Sequence, residues 1–261
     1  MSKSFRPNRN KKIIAFDLDG TLAESKQPLD KEMAVLLKEL LKHKKVIIIS
    51  GGSFSQFEKQ FLPYLDIREE EKDLYSSLIL LPTSGSLCYQ FDIQRKDWQI
   101  TDKEEMPEGV KEKVFSVVDD FIKNNSYGVK PYKEGDQVLE DRGSQITLSA
   151  LGQNAPIEEK IKWDKDQEKR QAIKKILELK LPEVSFSIGG ATSIDILPKG
   201  FDKAKGLKNF LEKEKMKTED LFFVGDAIFP GGNDYSPLRE GFDCQKVSGP
   251  TETKKIIQTF L

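Results

Sequence analysis

The stretch Ile13-Ile14-Ala15-Phe16-Asp17-Leu18-Asp19-Gly20-Thr21-Leu22 constrains the fold more than any other part of the chain. Four consecutive apolar residues with no polar alternation predict a strand buried on both faces. The run closes on two carboxylates spaced one apart, with Gly20 and Thr21 following as turn chemistry. On an extended backbone, residues two apart point the same way, so Asp17 and Asp19 face one crevice at the strand's carboxyl end. Acids held that close repel unless a cation lies between them, and a hard divalent ion such as Mg²⁺ suits such oxygens. A calcium loop also begins Asp-x-Asp. It needs Gly at its sixth position and Glu at its twelfth, where this chain has Leu22 and Pro28.

Downstream of Pro28, the residues Leu29, Met33, Leu36, Leu37, Leu40 and Leu41 recur at helical spacing. A second apolar run, Val46-Ile47-Ile48-Ile49, then ends at Ser50-Gly51-Gly52-Ser53. Strand, helix and strand in this span predict a βαβ unit, hence a parallel sheet with a right-handed crossover. Ser50 falls on the same sheet edge as Asp17, where its hydroxyl and the amides that follow, starting at Gly51, suit a phosphate oxygen. A helix is expected over roughly Phe54–Leu62, then a further buried strand at Leu78–Leu81 stopped by Pro82.

From about Ser86 to Ser187 the texture changes to short alternating strands: Leu87–Phe91, Trp98–Thr101, Gln137–Glu140 and Gln145–Ala150. Amphipathic helices near Glu108–Lys123 and Lys165–Leu179 interleave with them. Strands mixed with helices without strict alternation predict an α+β unit. After Gly189-Gly190 the parallel-sheet texture is expected to resume with Ser193–Leu197, and Pro198–Lys203 turns into a helix carrying Leu207, Phe210 and Leu211. Leu221–Val224 then closes on Gly225-Asp226, and a glycine-rich loop leads to Asn233-Asp234. The expected fold is α/β: a Rossmann-like parallel-sheet core (residues 1–85 plus 188–261) with an inserted α+β cap (86–187).

The remaining composition mainly excludes. A formal net charge of −1 gives no electrostatic basis for binding nucleic acid or an anionic membrane. No apolar run approaches a membrane span. Met1–Lys12 is polar and basic, unlike a secretory signal, and reads as a frayed tail. Cys88 and Cys244 fit no metal or redox spacing, which predicts two reduced thiols and a cytoplasmic setting. His43, the one histidine, sits among lysines, so the chemistry must run on carboxylates and lysine.

The string Phe-Asp-Leu-Asp-Gly-Thr-Leu resembles the first motif of the haloacid dehalogenase superfamily of phosphohydrolases and phosphomutases. Ser50-Gly51-Gly52 resembles the second motif, the lysine after Gly200 the third, and Gly225-Asp226 with Asn233-Asp234 the fourth. The resemblance implies that Asp17 is the nucleophile forming an aspartyl-phosphate and that Asp19 is the general acid/base. It further implies that Mg²⁺ is held by Asp17, the Asp19 backbone carbonyl and Asp226. Asn233 and Asp234 would act through water or by orienting other groups. Lys203 is the expected phosphate-neutralising lysine, with Lys205 its competitor.

A cap between the second and third motifs is similar to the type II caps of sugar phosphatases. Across nearly the whole chain the likeness is greatest to eukaryote-type phosphomannomutases, notably in Ser-Ile-Gly-Gly-Ala-Thr-Ser-Ile-Asp (187–195) and Pro-Gly-Gly-Asn-Asp (230–234). It implies that Arg142 binds the distal phosphate, that Ser193 and Asp195 contact the sugar, and that a homodimer forms through the cap. The chain departs from that family in having Ser25-Lys26-Gln27 and Gln153 where arginines are expected, and Lys160 where another stands. Those departures favour hydrolysis, so the expected function is a Mg²⁺-dependent hexose-phosphate phosphatase. Phosphomannomutase is the alternative, and a non-catalytic phospholigand-binding protein on the same fold is the second.

Overall fold

The computed structural model describes residues 9–261. The expectation of a tail over Met1–Lys12 falls outside the described residues for positions 1–8. It is corrected at Lys11, which is buried, donates from Nζ to the Glu219 carbonyl at 2.6 Å and pairs with Asp243.

The chain divides into two units, residues 1–102 with 203–261, and residues 103–202. The first begins with β1 (Ile13–Asp17), α1 (Lys31–Leu41), β2 (Lys45–Ile49), α2 (Phe54–Gln60), β3 (Leu78–Leu81), β4 (Leu87–Asp92) and β5 (Asp97–Lys103). The second holds α3 (Glu108–Asn124), β6 (Leu139–Asp141), β7 (Ile146–Ser149), α4 (Ile157–Trp163), α5 (Glu168–Lys180), β8 (Val184–Gly189) and β9 (Ser193–Pro198). The first unit resumes with α6 (Lys203–Lys213), β10 (Leu221–Gly225), α7 (Tyr235–Arg239), β11 (Asp243–Lys246) and α8 (Pro250–Gln258).

The seven-stranded sheet of the first unit runs β11-β10-β1-β2-β3-β4-β5. The pairs from β11 to β3 are all parallel, and β4 runs antiparallel to β3. The unbroken apolar runs follow from this arrangement. Ile14, Phe16, Val46, Ile48, Leu78, Leu80, Phe222 and Val224 feed one apolar core, and their neighbours Ile13, Ala15, Ile47, Ile49, Ile79, Leu81, Leu221 and Phe223 feed the other. Each strand is covered on both faces, so period-two alternation has no polar side to show. The stripe of α1 is met as expected, with Met33, Leu37, Leu40 and Leu41 buried, and Asp30 caps it by accepting from the Met33 amide at 2.9 Å.

The boundaries differ from those expected. Leu87–Lys103 was assigned to the cap but extends the core sheet, because the short Pro82–Ser86 link after β3 allows only an antiparallel return. At the other end, Ser193–Pro198 does not resume the parallel sheet. β8 and β9 form an antiparallel hairpin, and β9 pairs antiparallel with β7, giving a four-stranded sheet ordered β6-β7-β9-β8. The alternation Ser193-Ile194-Asp195-Ile196 carries that sign, with Ile194 and Ile196 in the second unit's core beside Val114, Val118, Ile173 and Leu177. Helix α4 was not anticipated. Among the described residues, no helix is long and apolar enough to cross a membrane.

Candidate active site

Parallel pairing sets the site. β1 is flanked by β2 and β10, with Asp17 opposite Ile49 and Phe16 opposite Val224. Asp17, Ser50 and Asp226 therefore leave the sheet along one carboxyl edge, where an open α/β sheet presents ligand-binding groups. Gly20 turns the chain after β1 with φ +83°, and a Cβ there would stand 2.7 Å from an Asp226 oxygen, so the turn and Asp226 are in close approach. Gly225 has the same relation to Asp234, whose carboxylate occupies the space a Cβ would need.

Helix α6 brings the cation. Lys203, at its first residue, is 1% exposed and lies between two acids: Nζ donates to Asp17 Oδ1 at 2.5 Å and to Asp234 Oδ1 at 2.7 Å. A lysine in the first turn of a helix is disfavoured by the dipole, and two carboxylates outweigh that here. Lys205 is exposed, whereas Lys203 is the lysine that meets Asp17. Burial alone would lower the Lys203 pKa, but the charges of Asp17 and Asp234 hold the ammonium above its ordinary value. Burial pushes the Asp17 carboxyl well up, and Asp234 and Asp226 add to this against the opposing pull of Lys203. Asp226 is likewise raised, first by burial and then by Asp234.

Asp17, Asp226 and Asp234 offer carboxylate oxygens that all lie within 4.8 Å of one another. Three acids against one ammonium leave the cluster short of positive charge. A hard divalent cation fits that deficit and that donor set, and supplies charge neutralisation when bound. Asp234 is thus a member of the cluster, where the sequence suggested a role through water or by orienting other groups. It also accepts from the Ala227 amide at 3.0 Å.

The carboxylate of Asp19 stands outside this cluster, turned to α2 and to the Lys26 amide. Ser50 is buried. Its Oγ accepts from the Gly52 amide at 3.1 Å, which leaves the hydroxyl proton to donate. The turn that carries Gly51 is held from behind, because the Ser84 amide donates to the Ser50 carbonyl and the Thr83 amide to the Gly52 carbonyl, both at 2.8 Å. Thr83 and Ser84 are buried and left-handed, at φ +52° and +58°, a costly backbone that persists only when its surroundings enforce it. Gly85 then meets Gly206 of α6, where a Cβ would come within 2.8 Å of the Gly85 Cα. One loop therefore touches both the Ser50 turn and the helix of Lys203. Asn233 is half-buried in the loop before Asp234.

The other expected residues belong to the second unit. Arg142 donates from Nε and a terminal nitrogen to Glu140 Oε2 at 3.0 and 2.7 Å. Asp195, buried on β9, accepts from Thr147 Oγ1 at 2.8 Å, and Ser193 Oγ lies 3.1 Å from Ser149 Oγ. Gln153 donates to Ser149 Oγ at 2.8 Å and to Glu140 at 3.1 Å, and Lys160 Nζ donates to the Gln153 carbonyl at 2.7 Å.

The sequence profile described as eukaryotic phosphomannomutase matches residues 83–261. The chain belongs to the eukaryotic phosphomannomutase family. Similarity reaches beyond the matched span. A probable phosphomannomutase of Caenorhabditis elegans is 28% identical over 262 residues, covering 98% of this chain and 97% of that protein. Phosphomannomutase 1 of Dictyostelium discoideum is 29% identical over 252 residues, covering 94% of each. Among solved structures, an IMP-nucleotidase of Plasmodium falciparum superposes with a TM-score of 0.68 at 15% identity, covering 95% of this chain and 68% of that one. A haloacid dehalogenase-like hydrolase of Bacteroides thetaiotaomicron gives 0.60 at 15% identity, covering 96% and 99%. These two show the shared fold.

This member of the phosphomannomutase family is accordingly a phosphotransferase enzyme of haloacid-dehalogenase type. Three features of its site went unseen in the sequence: the bond of Asp234 to Lys203, the Thr83–Gly85 brace, and Gln56 and Gln60 on Asp19. The one available signal was Pro82-Thr83-Ser84-Gly85 at a strand end, the position where the parallel sheet collects its functional loops.

Proposed function

We propose that this enzyme moves a phosphoryl group between positions of a hexose phosphate, in the manner its phosphomannomutase relatives are named for. The observation that carries the reading is the buried cluster in which Lys203 bridges Asp17 and Asp234 beside Asp226. Phosphoryl transfer calls for an in-line nucleophile, neutralised equatorial oxygens and a proton shuttle. Asp17 attacks phosphorus with a carboxylate oxygen while the bond from phosphorus to the sugar oxygen breaks, and that oxygen takes a proton from Asp19. Lys203 and the Ser50 hydroxyl hold the phosphoryl oxygens, and Asp17 and Asp226 would hold a Mg²⁺ ion that would supply further positive charge. In the second half, a sugar hydroxyl gives its proton to Asp19 as it bonds phosphorus, and Asp17 is released.

A second reading, hydrolysis, is favoured by Gln153 and Lys160. A glutamine committed to Ser149 and Glu140 and a lysine bound to a backbone carbonyl provide no two-pronged cation for a second phosphate. Phosphorus NMR of the protein with Mg²⁺, mannose 1-phosphate and a trace of hexose 1,6-bisphosphate separates the two. A growing 6-phosphate signal is the mutase outcome. Inorganic phosphate alone is the phosphatase outcome, and no turnover of any hexose phosphate would sink both.

A further inference from the structure

Helix α2 carries Gln56 and Gln60 one turn apart, and both side chains reach the carboxylate of Asp19. Gln56 Nε2 donates to Oδ2 at 2.7 Å, and Gln60 Nε2 donates to Oδ1 at 3.0 Å. The backbone amide of Lys26 donates to Oδ1 at 2.7 Å. Gln56 Nε2 also donates to Gln60 Oε1 at 2.8 Å, so the two amides brace each other. Gln60 is 6% exposed, an unusual place for a glutamine unless its polar atoms are committed. Gln56 lies across the turn after Ser50, because a Cβ built on Gly52 would fall on its amide oxygen. The helix that follows the Ser50 turn thus also sets the direction of Asp19.

A carboxylate accepts at about four lone-pair sites, two on each oxygen. Among the described residues, both sites on Oδ1 and one on Oδ2 are taken, which leaves one on Oδ2. Neutral amides suit the task, since they fix an orientation without cancelling the charge as a lysine or arginine would. We infer that Gln56 and Gln60 are positioning residues for phosphoryl transfer, locking Asp19 so that a single lone pair on Oδ2 exchanges the proton with the reacting oxygen. The inference rests on the phosphoryl-transfer reading above. When a hydroxyl oxygen bonds phosphorus, the bond from phosphorus to Asp17 breaks and its electron pair returns to the Asp17 carboxylate. The hydroxyl proton passes to Asp19 Oδ2.

Gln56→Met and Gln60→Met keep side-chain length and remove the donors. Each is expected to lower kcat by about 10²-fold, the scale set by ångström-level misplacement of a catalytic group, with KM little changed. In an Asp19→Asn background the same changes should alter the residual rate by less than about twofold, because the glutamines act through Asp19. Unchanged kcat, or an equal loss in both backgrounds, overturns the inference. A second measurement needs no turnover: in folded Asp19→Asn protein the side-chain amide ¹H–¹⁵N signals of Gln56 and Gln60 should move while that of Gln171, in the second unit, stays. Static Gln56 and Gln60 signals overturn the clamp. Moving signals in a protein that turns over no sugar phosphate would overturn the phosphoryl-transfer reading and leave the clamp standing.

Discussion

Lys203 Nζ lies 2.7 Å from Asp234 Oδ1, a bond between residues 31 positions apart that are both withdrawn from solvent. The second bond of the same ammonium goes to Asp17, so one cation holds the loop after β10 against the end of β1. Lys203→Met would leave two buried carboxylates without their partner. Breaking a buried pair from one side costs about 3–5 kcal/mol, and the urea midpoint of Lys203→Met should fall accordingly. Adding Asp234→Asn removes one unpaired charge and should restore part of the loss. A double variant less stable than Lys203→Met would contradict the pairing.

Three carboxylates within 4.8 Å predict metal-linked stability. Mg²⁺ at about one hundred times its dissociation constant should stabilise the fold by about 2.7 kcal/mol, read as a rise in Tm over a chelator control. Asp226→Asn should abolish most of that rise. A rise that survives the substitution would place the ion elsewhere.

Gly225 is a packing position. An alanine methyl there meets the Asp234 carboxylate, which cannot withdraw while Lys203 and the Ala227 amide hold it. Gly225→Ala should cost about 1–3 kcal/mol, as overpacked sites do. Its loss of Mg²⁺-dependent stabilisation should exceed that of Gly109→Ala, a site with open space around it.

Acid sensitivity has a named contributor far from the site. Glu71 is drawn from its ordinary 4.5 to about 2, first by its hydrogen bond with the Arg68 side chain and then by Lys38. A carboxyl whose folded value is depressed adds stability above its unfolded value and loses it as pH falls through the folded one. The window here is from about pH 4.5 down to about pH 2. Glu71→Gln should flatten the Tm-against-pH curve in that window, and added salt should shrink the difference because the group is near solvent. Identical curves for both proteins would remove Glu71 as a contributor.

What was readable in the sequence follows from which interactions are local. Ile13–Phe16, Val46–Ile49 and Leu221–Val224 announce strands because burial on both faces leaves no polar residue among them. The acids and small polar residues at their ends mark the edge where the site forms. Asp17, Ser50 and Asp226 were legible for that reason, and Lys203 through its spacing after Gly200, which matches the third motif of the resemblance. The partners of those residues were not. Asp234 follows a glycine-rich loop and could be placed only near the site, because its bond to Lys203 depends on where α6 starts. Gln56 and Gln60 look like polar positions of a short surface helix until Asp19 is set opposite them. Ser193–Leu197 belongs to the antiparallel sheet and not to the parallel texture expected after Gly189-Gly190, and its alternation is the mark of an antiparallel strand with one apolar face.

β1 pairs with β10 across nearly the whole chain, Ile13 opposite Leu221. During synthesis, therefore, β1 leaves the ribosome with one flank open and waits through the second unit, which brings a core of its own, before β10 arrives. Asp17 is made early, whereas Lys203, Asp226 and Asp234 come in the closing quarter. A nascent chain interrupted before that point has neither a closed central sheet nor an assembled acid cluster. The same late strand completes both, so chains that stall cannot be partly active: they are left with an open strand edge that chaperones or proteases can read.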